Sequence, residues 1–121
     1  MSKQYYVYEL INSLDNQPFY VGKGSGARMY THLREATRDS YKNKRSVHHK
    51  IQSILSKGGK VLYNKTEVIT EQEAFNEEKR LILLYGRRDL KLGLLCNLTD
   101  GGEGTINTNP ESIASRSAKH I

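Results

Sequence analysis

Tyr5-Tyr6-Val7-Tyr8-Glu9-Leu10-Ile11, then Ser13-Leu14-Asp15-Asn16-Gln17, then Pro18-Phe19-Tyr20-Val21-Gly22 is the stretch on which the fold turns. Both outer runs are rich in aromatic and β-branched residues, which favour strands, and the run between them is made of turn formers. The pattern predicts an antiparallel hairpin. Side chains alternate between faces along a strand, so Tyr6, Tyr8 and Leu10 share one face of the first strand and Pro18 and Tyr20 share one face of the second. Paired in this way, Tyr8 and Tyr20 come to the same side of the sheet. Tyrosines are common in strands for packing alone, so the pair acquires meaning only from the residues downstream of it.

Gly22, Gly24 and Gly26 end the second strand and open a loop. Residues 27–37 read as a helix with Met29, Leu33 and Ala36 as its apolar stripe. Arg28 and His32, four apart, are neighbours on one side of it. A guanidinium binds phosphate through a planar fork, and an imidazole exchanges a proton near neutral pH. Residues 37–45 are polar and basic and read as an exposed connection. A second helix is expected over 46–56, with Val47, Ile51, Ile54 and Leu55 on one face and His48 and His49 off it, facing solvent. Gly58-Gly59 closes it. Residues 60–70 read as a third strand. Thr70, with Glu73 three residues on, forms a capping box for a helix that Gly86 stops. Leu94 to Leu98 reads as a short final strand.

The helix after Thr70 carries the most informative residue. At about 100° per residue, Ala74, Phe75, Leu81, Ile82 and Tyr85 all fall within about 60° of Glu78. A carboxylate in the middle of an apolar stripe costs several kcal/mol unless something compensates. The compensation is a metal ion, a base such as Arg28, or a raised pKa. Asn97 stands in an apolar run, Leu94-Leu95-Cys96-Asn97-Leu98, where a buried amide needs partners. It would fix Glu78, orient a phosphate or cap a turn.

Bulk composition narrows the chemistry. The 121 residues include 19 Lys and Arg against 13 Asp and Glu, a formal charge of +6, which suits a polyanion. A single cysteine, Cys96, excludes an internal disulfide and a multi-cysteine zinc site. No apolar run approaches the roughly 20 residues a membrane helix needs, and Met1 to Gln4 lack the apolar stretch of a signal peptide. A cytoplasmic setting without membrane association is expected. From Asp100 the composition changes to a Gly-rich turn, and Asn109-Pro110 has the form of a helix start. The chain is therefore expected to divide into a domain over 1–99 and a Gly-rich segment with a basic tail over 100–121. The fold class is α/β in the α+β sense. A small three-stranded antiparallel sheet is flanked by helices, in the order ββααβα, with a short strand and a tail.

In this order, these positions resemble the GIY-YIG nuclease superfamily. Tyr6-Val7-Tyr8 and Tyr20-Val21-Gly22 stand at its two triplets, and Arg28 and His32 at its first-helix Arg and His. Ala74, Glu78 and Ile82 stand at the pattern around its metal-binding Glu, and Asn97 at its late Asn. Pro18 to Gly24 and Asn97 to Gly104 look like the branch that includes the nuclease domain of animal LEM-domain, ankyrin-repeat endonucleases and small bacterial and phage proteins. Tyr6 departs from the pattern, standing where the superfamily has Gly.

The resemblance implies a DNA endonuclease of phage or bacterial origin, located in the cytoplasm of the cell or the infected host. Glu78 would hold Mg²⁺ or Mn²⁺. Tyr8, Tyr20, Arg28, His32, Glu78 and Asn97 would form the catalytic set, with either Tyr8 or His32 taking the proton from water. Duplex or branched DNA would meet Lys23, Lys42, Lys44, Arg45, His48, Arg116 and Lys119, on a monomer or a homodimer. The alternative is a nucleic-acid-binding module that keeps the scaffold and does not cut, although a binder has no need of all the catalytic positions.

Overall fold

In a computed structural model of the protein, which describes residues 5–101, three strands form one antiparallel sheet in the order β2-β1-β3. The strands are β1 (Tyr5–Asn12), β2 (Gln17–Gly24) and β3 (Val61–Val68). The helices are α1 (Thr31–Ala36), α2 (Ser46–Ser56) and α3 (Glu71–Tyr85). The first strand lies in the centre, which is why Tyr6 through Leu10 are all buried. On one side of the sheet Tyr6, Tyr8, Leu10 and Phe19 pack with Met29, Val47, Ile51 and Ile54. On the other, Val7 and Val21 pack with Ala74, Leu81, Ile82 and Leu95. The fold is the expected α+β arrangement, and no helix among the described residues is long and apolar enough to cross a membrane.

The hairpin register opposes Tyr8 to Gly22 and Leu10 to Tyr20, then Ile11 to Pro18, skipping Phe19. This bulge corrects the simple alternation: Pro18 joins the face of Ile11, and Phe19 turns into the core beside Tyr8 and Leu10. Pro18 has no N–H to give to a ladder, so an interruption at this point costs little.

The expected helix over 27–37 is divided. Residues Arg28–Tyr30 form a tight 3-10 turn, and only Thr31–Ala36 is α-helical. The cause lies in β1. The Tyr6 hydroxyl donates to Gly26 O at 2.6 Å and accepts from Met29 N at 3.1 Å, pinning this turn to the sheet.

The second and third helices keep their expected bounds. Thr70 Oγ1 accepts from Glu73 N at 3.1 Å while Glu73 Oε1 accepts from Thr70 N at 3.1 Å. Gly86, at φ 86°, ends α3 in a conformation open to glycine. Leu55 is 38% exposed, unlike the buried Val47, Ile51 and Ile54 of the α2 stripe.

Residues 94–98 do not form a strand. Leu95 makes one parallel bridge to Arg87, and the next two residues fasten the outer edge of β2. Cys96 N donates to Phe19 O at 2.7 Å. Asn97 Oδ1 accepts from Val21 N at 3.0 Å and Asn97 Nδ2 donates to Val21 O at 2.8 Å, so a side-chain amide takes the place of a neighbouring strand. The helix start at Asn109 and the basic tail lie outside the described residues.

Candidate active site

Five separate segments place residues around one cavity of about 160 Å³. Its lining includes Tyr20 of β2, His32 of α1, Arg45 before α2, Glu78 of α3, and Asn97 and Thr99. At about 30 Å³ per water, that is room for roughly five waters. Tyr20, His32, Glu78 and Asn97 are thus brought together.

Tyr8 lies behind them, buried, with its ring 6.3 Å from that of Tyr20. It crosses the backbone of Gly22 so closely that any Cβ there would overlap its phenol. The close crossing of ring over strand is what requires glycine in the second triplet. The Tyr20 ring meets His32 edge-on at 4.7 Å.

Arg28 is exposed and does not line this cavity. It lines a neighbouring one of about 240 Å³ with Lys23, Gly24, Ser25 and Glu71. Its charge still reaches Tyr8, Tyr20 and His32. Lys23 also stands over the Phe75 ring at 4.5 Å.

Burial dominates the electrostatics. It raises the Tyr8 phenol far above its ordinary range, with Tyr20 and Glu78 adding to the effect and Arg28 opposing it. Burial likewise raises Tyr20, to about 12, aided by Glu78 and opposed by Arg28 and Arg45. His32 is lowered to about 4, again first by burial and then by His48, while Glu35 opposes. At neutral pH the site therefore holds two phenols and an uncharged imidazole.

Among the expected nucleic-acid contacts, Arg45 joins the cavity wall and Lys42 is exposed. Lys44 Nζ donates to the carbonyls of Arg38 and Tyr41, both at 2.9 Å. Arg116 and Lys119 lie outside the described residues. The expectation that His48 faces solvent and DNA is corrected, because its side chain is only 2% exposed. Its Nδ1 accepts from the Arg45 main chain at 2.8 Å, and its Nε2 meets Glu35 Oε1 at 2.9 Å. The first turn of α2 lies against α1, so a position off the apolar stripe is covered all the same.

Sequence reasoning also passed over three contributors. Glu35 is a carboxylate bonded to His48 at 2.9 Å and 3.9 Å from His32, and only its i, i+3 spacing from His32 was visible. Tyr6, noted only as a departure from the superfamily's Gly, ties down the turn that carries Arg28. Gly101, at φ 77°, lies against Glu78: a Cβ there would come within 3.1 Å of Glu78 Cγ and 3.2 Å of Cδ.

That close approach also bears on a cation. Mg²⁺ and Mn²⁺ take oxygen ligands and keep several waters. A half-buried Glu78 on the wall of a cavity with room for several waters, closely approached by Gly101, fits such an ion.

A small antiparallel sheet whose hairpin brings Tyr8 and Tyr20 to one face, with an arginine in the turn that follows, a histidine on the next helix and a carboxylate from a later helix, defines a GIY-YIG-type nuclease domain. The chain belongs to the LEM-3-like GIY-YIG domain family, which matches residues 8–120. No curated relative and no solved structure matches it. Membership assigns a nuclease-type hydrolase function and a nucleic acid as substrate, in a superfamily that generally depends on divalent metal.

Proposed function

We propose that this chain is a divalent-metal-dependent endonuclease that hydrolyses phosphodiester bonds in duplex or branched DNA. The observation that carries this reading is the convergence of Tyr20, His32, Glu78 and Asn97, from four segments, on one cavity. Glu78 would hold Mg²⁺ or Mn²⁺. When bound, the ion would polarise the phosphate and stabilise the leaving oxygen.

The protein's own groups divide the remaining work. A water attacks phosphorus in line, and the bond to the leaving sugar oxygen breaks. His32 receives the water's proton. Its depressed basicity keeps the imidazole unprotonated at neutral pH, whereas Tyr8 and Tyr20 hold their protons. Tyr20, on the cavity wall, serves as a hydrogen-bond donor to a phosphate oxygen, and Tyr8 backs it from the buried side. Arg28, in the adjoining cavity with Lys23, neutralises phosphate charge along the strand. Asn97 keeps β2, and with it Tyr20, in place.

The test is incubation of supercoiled plasmid, linear duplex and a branched junction with the protein in Mg²⁺, in Mn²⁺ and in EDTA. Nicking or cleavage in either metal and none in EDTA is expected. Full activity in EDTA refutes the mechanism. Salt-sensitive binding with no cut in any metal refutes the enzyme and leaves a binding module.

A further inference from the structure

The residues behind His32 form a connected polar cluster. Arg45 N–H donates to His48 Nδ1 at 2.8 Å. A main-chain donor at that atom means Nδ1 carries no proton, so the ring proton of His48 sits on Nε2. That N–H is directed at Glu35 Oε1, 2.9 Å away. The same oxygen lies 3.9 Å from His32 Nδ1, a buried atom with no hydrogen-bond partner. A native protein seldom leaves such an atom unmatched without a purpose.

His32, Glu35 and His48 also offer ligand atoms within 4.8 Å of one another, a spacing that would suit a metal ion. The hydrogen bonds speak against that use. His48 Nε2 could bind a metal only by giving up its proton, and a proton moved to Nδ1 would point at the Arg45 N–H, donor against donor.

We propose instead that Glu35 is a positioning residue. In the working site its carboxylate bridges the two rings, accepting from His48 Nε2–H and from His32 Nδ1–H, and so directs the lone pair of His32 Nε2 into the cavity. The movement needed is about 1 Å, from 3.9 Å to ordinary hydrogen-bond length. A carboxylate has about four acceptor sites, so the second bond displaces nothing. When Nε2 takes the proton from water, the cation formed on the ring lies against the Glu35 charge. The groups facing His32 are Tyr20 from β2, Arg28 from the preceding turn, Glu35 from α1, Arg45 and His48 from α2 and its cap, and Glu78 across the cavity. His48, Arg28 and Arg45 oppose protonation of the ring, and Glu35 favours it.

The catalytic consequence rests on the nuclease reading, but the hydrogen bond does not, so the experiment reads both. Long-range ¹H–¹⁵N NMR of the uniformly labelled full chain at neutral pH assigns each imidazole tautomer. The expected result is Nδ1–H for His32 and Nε2–H for His48. In Glu35→Gln, whose amide oxygen still accepts from His48, His32 should lose its single tautomer and DNA cleavage should fall by about 10²-fold. An Nε2–H tautomer for His32 in the unaltered chain overturns the proposal, and that measurement decides even if the variant fails to fold. So does an unchanged tautomer in Glu35→Gln. Joint displacement of the His32 and His48 signals by Zn²⁺ overturns it in favour of a metal centre. A chain that shows the expected tautomers and cuts no DNA sinks the nuclease reading alone.

Discussion

The sheet carries a polar cluster on each side, and the two are built on opposite terms. On the α3 side Glu9, buried on the central strand, accepts from the Tyr85 hydroxyl at 2.8 Å and from Asn64 Nδ2 at 3.2 Å. Both of its oxygens are occupied by groups of this chain. On the side of α1 and α2, His32 keeps a buried nitrogen unmatched beside a cavity large enough for several waters. A cluster that is complete in itself contributes stability and order. A cluster left one bond short, at the wall of a cavity, is prepared for something that comes and goes. Glu78 belongs with the second cluster, since its carboxylate lines that cavity.

Exchanging one carboxylate for its amide in each region puts the largest strain on this contrast. Glu78→Gln is expected to lower cleavage on the order of 10³-fold, the scale on which a preorganised charged group acts, with no loss of stability. Glu9→Gln should leave the cleavage rate of the folded protein unchanged and cost about 1–3 kcal/mol in denaturant unfolding, because the buried charged acceptor of two hydrogen bonds is weakened. If Glu9→Gln stops cleavage while the fold stands, or if Glu78→Gln cuts at the normal rate, the division into structural and working clusters is wrong.

Acid distinguishes the regions next. Burial lowers His32 from its ordinary 6.5 to about 4. The folded protein therefore binds fewer protons than the unfolded chain between those values. Stability contributed by the neutral ring is complete above about pH 6.5 and is lost as the pH falls towards 4. Its full size is about 3 kcal/mol as an upper bound, at about 1.4 kcal/mol per pKa unit. Unfolding midpoints measured from pH 7 to pH 4 should fall in the parent protein. They should fall less in His32→Asn, which cannot titrate there. Equal slopes for the two proteins would remove His32 from the set of acid-sensitive groups.

How far the sequence disclosed these regions depended on whether the deciding contact was local. Tyr8 and Tyr20 were placed on one face because strand periodicity is two, and Glu78 was found because a carboxylate broke a helical stripe. The Thr70 and Glu73 capping box is likewise a three-residue matter. The division of the first helix was hidden, because it is imposed by a tyrosine hydroxyl twenty residues earlier. His48 was misread because position on its own helix said nothing of Glu35 on another. Asn97 was visible as a buried amide, but its pairing with the backbone of Val21, which makes a strand there unnecessary, arises only once β2 has an uncovered edge. Local periodicity identified the groups that point into the cavity, and tertiary contact supplied those that hold them.

Tyr6 gives the smallest effect and the finest discrimination, because it is a completed contact placed next to the unfinished one. Its hydroxyl joins Gly26 O and Met29 N, both in the segment that carries Arg28. Tyr6→Phe keeps the ring and leaves a carbonyl and an amide without their partner, at a cost of about 1–2 kcal/mol. Since Arg28 would then be held less firmly, cleavage should also fall, by less than about tenfold, which is roughly 1.4 kcal/mol of barrier. Denaturant unfolding and plasmid nicking on the same preparation give both numbers. A modest loss in each is the behaviour of a tether. If cleavage instead falls a thousandfold while the unfolding midpoint stays put, Tyr6 acts on the substrate directly, and the departure from glycine at the head of the first triplet becomes part of the chemistry.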